Sequence, residues 1–225
     1  MSRAVFITAT DTGAGKTWVT QHLLRLLLQK GEDVQALKPI ASGMLPSGLN
    51  EDVDILLSEQ PHKTQPMLNF HTFSNPVAPA MAAQLEQHTL DQETLALWLQ
   101  QQRQQQQLTL IEGVGGLMVP LGVAGQETWL LSDWIQDIPD VDVLLVVPLR
   151  LGCMNQVLLS CSLLASLNIT PICLLFNDID QQGEAEKTMA LLKPCLSRIF
   201  DTLPPLIAVQ HRQDLSQLYP ILETR

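Results

Sequence analysis

Short apolar, β-branched runs alternate with longer stretches of helical period along most of the chain. Ala4–Thr8, Val34–Leu37, Leu108–Ile111, Val141–Val147 and Pro171–Phe176 read as strands. They are apolar at successive positions, which suits strands covered on both faces. Lys16–Gln29, Asp91–Gln105, Asn155–Ser166 and Gly183–Leu192 read as helices, with a last one near Asp214–Leu222. Gly31 stands just past the first helix, where a left-handed residue ends a helix without strain. This alternation predicts an α/β fold: a mostly parallel sheet with helices on both faces. No internal repeat and no Pro-, Gly- or Ser-rich linker interrupts it, so residues 1–225 are expected to form one domain. The stretch from Ser42 to Asn75 reads as an irregular polar connection. Long connections after parallel strands gather at the ligand-binding edge of such sheets. Gln100–Gln107 is the one low-complexity segment, expected to be an exposed helix end leading into the next strand.

Composition narrows the class. The 225 residues are 46% hydrophobic and 16% charged, which is globular rather than disordered. A formal net charge of −10 argues against nucleic acid as the main partner. The apolar run Val143–Leu149 is far shorter than a membrane span. MSRAVFITAT enters a strand directly, with no signal-peptide pattern, so a cytoplasmic, soluble protein is expected. Cys153, Cys161, Cys173 and Cys195 have no CxxC or His/Cys ligand spacing, consistent with reduced thiols. His22, His62, His71, His88 and His211 are expected to form no cluster.

The chemistry lies in FITATDTGAGKTWVTQHLL, where a strand ends, a glycine loop follows and Lys16-Thr17 open an amphipathic helix. That is the phosphate-loop arrangement in its required context. Gly13 and Gly15 let backbone N–H groups converge on phosphate oxygens, and the helix N-terminus adds about half a positive charge. Lys16 is placed for the β- and γ-phosphates and the Thr17 hydroxyl for Mg²⁺. Lys38 ends the second strand in LKPIASG, suited to neutralising a transferring phosphoryl group. Glu112 ends LTLIEG, where a carboxylate beside a phosphate loop can hold the metal. Asp52 and Asp54, in NEDVDIL, offer a third carboxylate.

TDTGAGKT, KPIASG, NEDVDIL, IEGVGGLMVPL, LGCMNQVLLS and FNDI, in that order, resemble the ATP-dependent dethiobiotin synthetases over nearly the whole chain. The resemblance implies a single-domain P-loop NTPase fold and an Mg²⁺- and ATP-dependent reaction. In it, CO2 joins the two amines of 7,8-diaminopelargonate (7,8-diaminononanoate) in a cyclic urea. It assigns the nucleotide to Gly13, Ala14, Gly15, Lys16, Thr17 and Trp18, with Glu112 and Gly115. Asn177 would read the adenine edge, and Leu203-Pro204 would close over the base. Metal ligands would be Thr17, Glu112 and an aspartate, Asp52 or Asp54; the N-x-D match favours Asp52. Thr12, Lys38 and Ser42 would contact the diamine, its carbamate or the phosphates, with Lys16 and Lys38 as charge-stabilising catalytic groups. Gly152, Cys153, Met154 and Asn155 would receive the substrate carboxylate at a helix start, across a homodimer interface. No nucleic-acid or membrane partner is implied.

Two departures stand in the loop: Ala9 replaces the first glycine, and Gly13 replaces the family's glutamate. Gly13 leaves room for a divergent P-loop ligase with another small substrate. A nucleotide-binding switch ATPase is a further alternative, but such proteins carry a lysine where this loop has Asp11.

Overall fold

The computed structural model describes residues 2–124, 127–179, 183–210 and 214–223. In chain order the elements begin with β1 (Arg3–Ala9), α1 (Lys16–Gln29), β2 (Val34–Leu37) and β3 (Ile40–Ser42). Next come α2 (Glu51–Ser58), α3 (Gln65–Leu68), β4 (His71–Phe73), α4 (Pro79–Leu85), α5 (Gln92–Arg103) and β5 (Leu108–Glu112). β6 (Pro120–Ala124) and β7 (Glu127–Leu130) form a hairpin before α6 (Leu131–Asp137), β8 (Val141–Pro148) and α7 (Cys153–Ser166). β9 (Cys173–Asp178), α8 (Ala185–Leu196), β10 (Leu206–Gln210), a 3₁₀ turn (Ser216–Leu218) and α9 (Tyr219–Glu223) complete them.

Six strands form one parallel sheet in the order β10-β9-β8-β1-β5-β2. Its centre is β1, whose side chains alternate between two cores. Ala4 and Phe6 pack with Leu95 and Leu99 of α5, Trp134 of α6 and Val157 of α7. Val5, Ile7 and Ala9 pack with Leu23 and Leu24 of α1 and Leu56 of α2. Helices thus cover both faces, which is why the strands carry no polar alternation. The chain leaves β1 toward β2 and later returns on the other side, to β8. A ligand crevice opens at the carboxyl ends of the strands where the winding direction reverses. β1 stands at that reversal, and the glycine loop leaves its carboxyl end.

The major elements match the hydrophobic pattern; the connections hold more structure than it indicates. Ser42–Asn75 is not irregular: it holds α2, α3 and β4, the last pairing with β3 in parallel. The β6-β7 hairpin and β10 are likewise absent from the pattern. The histidines are not all apart either. His71 and His88 stack with ring centroids 4.1 Å apart and planes 5° from parallel. β4 and the turn after α4 are neighbours in space, though their residues are distant in sequence. His211 lies outside the described residues. No described helix is long and apolar enough to cross a membrane.

Candidate active site

Local geometry makes the loop. Gly15 caps α1 from the left-handed region, φ 89°, and a Cβ there would run into the Asn177 amide. Only glycine meets both demands. α1 then presents Lys16 and Thr17 on its first turn, with the Thr20 hydroxyl donating to the Lys16 carbonyl at 2.9 Å.

Three further elements bring their ends to this turn. β5 delivers Glu112, which is 1% exposed. Lys38 follows β2; its carbonyl accepts from Asn69 Nδ2 at 2.8 Å and its own N–H donates to Leu68. α2 delivers Asp52 through its cap: Asn50 accepts from the Asp52 and Val53 N–H groups and donates to the Ser42 and Gly43 carbonyls. The acids Glu51, Asp52 and Asp54 crowd that first turn, where the helix dipole favours them. Asp52 is the one that meets Thr17.

The result is a compact cluster. Thr17 Oγ1 lies 2.7 Å from Asp52 Oδ1 and 2.7 Å from Glu112 Oε1. Lys38 Nζ lies 2.7 Å from Glu112 Oε1, 3.3 Å from Asp52 Oδ2 and 3.0 Å from the Gly113 carbonyl. A hydroxyl has one proton, so only one of the Thr17 contacts is a hydrogen bond. The other sets a lone pair against a carboxylate oxygen. Glu112 Oε2 is buried with no partner among the described residues. Three hard oxygen donors with spare acceptor capacity fit a small divalent cation. Charge argues the same way: Lys16 and Lys38 balance Asp52 and Glu112, and a bound triphosphate would leave negative charge in excess.

The lysines differ electrostatically. Burial, and after it the charge of Lys38, push Lys16 down to about 8. Burial opposes charge on Lys38 too, but Glu112 and Asp52 outweigh it and hold its pKa above the usual lysine value. Burial would raise Asp52; Lys38, Thr17 and Lys16 together hold it below the ordinary carboxylate range.

A cavity of about 730 Å³ opens over the cluster. Its wall includes Thr12, Gly13, Gly15, Lys16, Thr17, Lys38, Ser42, Asp52, Glu112 and Gly115, so the structure brings these sequence-expected residues together. Ser42 Oγ is buried and unpartnered among the described residues. Ala14 and Asn177 lie beneath the loop: Asn177 Nδ2 donates to the Ala14 carbonyl at 3.0 Å, while its Oδ1 is unpartnered among the described residues. Asn177 and Ala14 are both fully buried, and neither is on the cavity wall. Trp18 lies along α1 against His22, with centroids 4.5 Å apart and planes tilted by 37°, and is not on the cavity wall.

One expectation needs correction. Leu203 and Pro204 are not at this edge. They precede β10, and the Pro205 carbonyl accepts from Leu174 at the start of β9. Parallel pairing then carries the chain to Gln210 beside Asp178, so the carboxyl end of β10, not its start, lies toward the nucleotide edge. Residues 211–213 lie outside the described residues. Gly152, Cys153, Met154 and Asn155, expected to act across an interface between copies, stand at the start of α7, and none lines the cavity of its own chain.

Sequence reading misses a strut beside the loop. Asp11 accepts from Arg150 and, at 3.0 Å, from Gln156, tying the phosphate loop to α7. It also misses Pro76–Pro79, which form part of the cavity wall just before α4. The Asn75-Pro76 step and the Pro-rich character of that segment mark a turn, not a wall, so only the fold places it there.

The profile of an AAA domain family matches residues 3–216. An ATP-dependent dethiobiotin synthetase of Xylella fastidiosa (strain M12) is 34% identical over 195 residues, covering 84% of each chain. The chain belongs to the dethiobiotin synthetase family. Another ATP-dependent dethiobiotin synthetase, from Pseudescherichia vulneris, is 30% identical over 97% of this chain and 94% of its own. A Salmonella typhi relative of the same name is 31% identical over 81% of this chain and 80% of its own. Among solved structures, the MinD cell division protein of Aquifex aeolicus superposes with a TM-score of 0.51. It covers 98% of this chain and 85% of that one at 14% identity, a likeness of fold alone.

Proposed function

We propose that this synthetase-family chain carboxylates 7,8-diaminopelargonate with CO2 and closes the product to dethiobiotin, converting ATP to ADP and phosphate. The observation that carries the reading is the Thr17–Asp52–Glu112–Lys38 cluster at the foot of the cavity. An amine nitrogen of the substrate bonds to CO2, losing a proton, and forms a carbamate. A carbamate oxygen takes the γ-phosphoryl group. The second amine then attacks the carbonyl carbon, phosphate leaves and the ring closes.

Little of this needs a strong protein base; it needs positioning and charge stabilisation. Lys16 and the loop N–H groups hold the phosphates, and Lys38 faces the oxygen that receives the phosphoryl group. Thr12 and Ser42 orient the carbamate and the amines. Thr17, Asp52 and Glu112 would hold Mg²⁺, which when bound neutralises phosphate charge. Asn177 would read the base from beneath the loop. α7, through its start at Gly152, Cys153, Met154 and Asn155, receives the substrate carboxylate at a helix N-terminus, where the Cys153 N–H already donates to the Arg150 carbonyl at 3.0 Å. None of these residues lines the cavity of its own chain, so we assign them to the site of a second copy in a homodimer. Leu151, 103% exposed immediately before them, suits such an interface. A cytoplasmic location and a single domain accompany this reading.

The test is phosphate release from ATP and bicarbonate, with and without the diamine, by mass detection of the cyclic urea. Diamine-dependent release that stops with EDTA and returns with Mg²⁺ is expected. ATP binding with no response to the diamine would overturn the substrate assignment.

A further inference from the structure

A second cavity, of about 300 Å³, lies between α5, α6 and the start of β1. It is at the amino ends of the strands, the edge away from the phosphate loop, since Ser2 and Pro139 precede β1 and β8. Leu99, Trp134 and Ile138 form an apolar floor, and Gln100 and Gln104, from the glutamine-rich stretch, stand on its wall. This is near the small end of ligand pockets, and mostly apolar with a few polar groups, as such pockets are.

Arg103 makes it more than a packing gap. Its residue is 6% exposed. Nη1 donates to the Pro139 carbonyl at 2.8 Å and Nη2 to the Ser2 carbonyl at 2.6 Å. Both acceptors are neutral. Nε has no partner among the described residues, nor has Nε1 of Trp134, on the same wall. No carboxylate forms an ion pair with Arg103 among those residues. Burial penalises its charge, and Asp140 offsets this from beyond ion-pair distance. Asp137, also on the wall, is engaged by the Gln92 amide at 2.6 Å. Buried guanidinium groups are normally paired, and unsatisfied buried donors are few in native proteins.

We propose that this cavity is a second small-molecule site, taking a medium-length aliphatic monocarboxylate with its head group on Arg103 and its tail on the apolar floor. The carboxylate supplies the missing acceptor and counter-charge, and the rim amides of Gln100 and Gln104 donate to its second oxygen.

Octanoate is the probe, titrated calorimetrically into the full-length protein, with octylamine and octanol as comparators. Saturable octanoate binding is expected, weakened at least about tenfold by Arg103→Gln and by Ala96→Trp, which fills the cavity from its exposed rim. Octylamine should not bind, and octanol should bind at least about tenfold more weakly. Retained ATP affinity shows that each variant is folded; should Arg103→Gln unfold, Ala96→Trp carries the test. Absence of saturable binding, binding unchanged by Ala96→Trp, or equal binding of octylamine or octanol would overturn the proposal.

Discussion

Glu112 takes two contacts on one oxygen, from Thr17 and Lys38, and keeps the other oxygen buried and unpartnered among the described residues. Glu112→Gln keeps the shape but removes the charge that balances Lys38. Breaking such a buried pair costs about 3–5 kcal/mol where no other partner exists. Asp52 still faces Lys38 at 3.3 Å, so a loss at or below the lower end of that range is expected, read from thermal or urea unfolding. Turnover should fall by about 10²–10³, the scale of losing one charge-stabilising group, with ATP affinity less affected. Near-wild-type turnover in a folded Gln variant would remove Glu112 from the machinery. Gly13 poses the opposite question. Its φ is +69°, yet a Cβ there meets nothing within 4 Å. A side chain fits in space and costs only backbone strain, roughly 1–2 kcal/mol. Gly13→Glu should lower the melting temperature by a few degrees while preserving or raising diamine-dependent phosphate release. Complete loss of activity would mean that this loop works differently from the glutamate-bearing loops of its family.

At the scale of elements, α2 decides whether Asp52 reaches Thr17. Asn50 caps it and also clamps the Ser42 and Gly43 carbonyls, joining the helix to β3. Asn50→Ala should cost about 0.5–2 kcal/mol as a lost cap. Because Asp52 stands on the first turn, the same variant should raise the Mg²⁺ concentration needed for half-maximal turnover. Unchanged Mg²⁺ dependence beside a lowered stability would leave Asn50 a structural cap only. This helix also shows what the sequence conceals. It spans two turns inside a polar stretch, too short for a 3.6-residue period to emerge. Its real signature is the cap followed by acids, a start signal without the apolar stripe that usually follows. The long elements are legible because burial on both sides writes itself into them: β1, β5 and β8 are nearly continuous apolar runs. Lys16, Thr17 and Glu112 are legible because strand and helix ends locate them. Leu203-Pro204 misleads because β10 is brief and follows Pro204-Pro205, so without the strand its two ends cannot be told apart. The Asp11–Arg150–Gln156 strut joins residues up to 145 apart and has no local pattern at all.

For the whole molecule, the question is where the start of α7 acts. It is tied to the phosphate loop of its own chain through Gln156 and Asp11, at 3.0 Å, yet 152–155 face no part of that chain's cavity wall. Leu151 is fully exposed beside this helix start, and a second copy seated there would cover it. In a two-fold dimer, the same patch meets itself and each copy can complete the other's site. Two variants separate the possibilities. Lys16→Ala disables the phosphate site of the chain that bears it, and Asn155→Ala impairs the carboxylate grip that chain offers. Each homodimer should be nearly inactive at low diamine concentration. If Asn155 serves the partner's site, a mixed dimer places both lesions in one of its sites and leaves the other intact. Equal amounts, exchanged and re-formed, should then recover roughly a quarter of the wild-type rate, since half of the dimers are mixed with one good site in two. If Asn155 instead served its own chain, every site in the mixture would carry one lesion and no activity would return. Sedimentation of the same mixture, showing dimers in both cases, makes the absence of recovery a statement about Asn155 rather than about assembly.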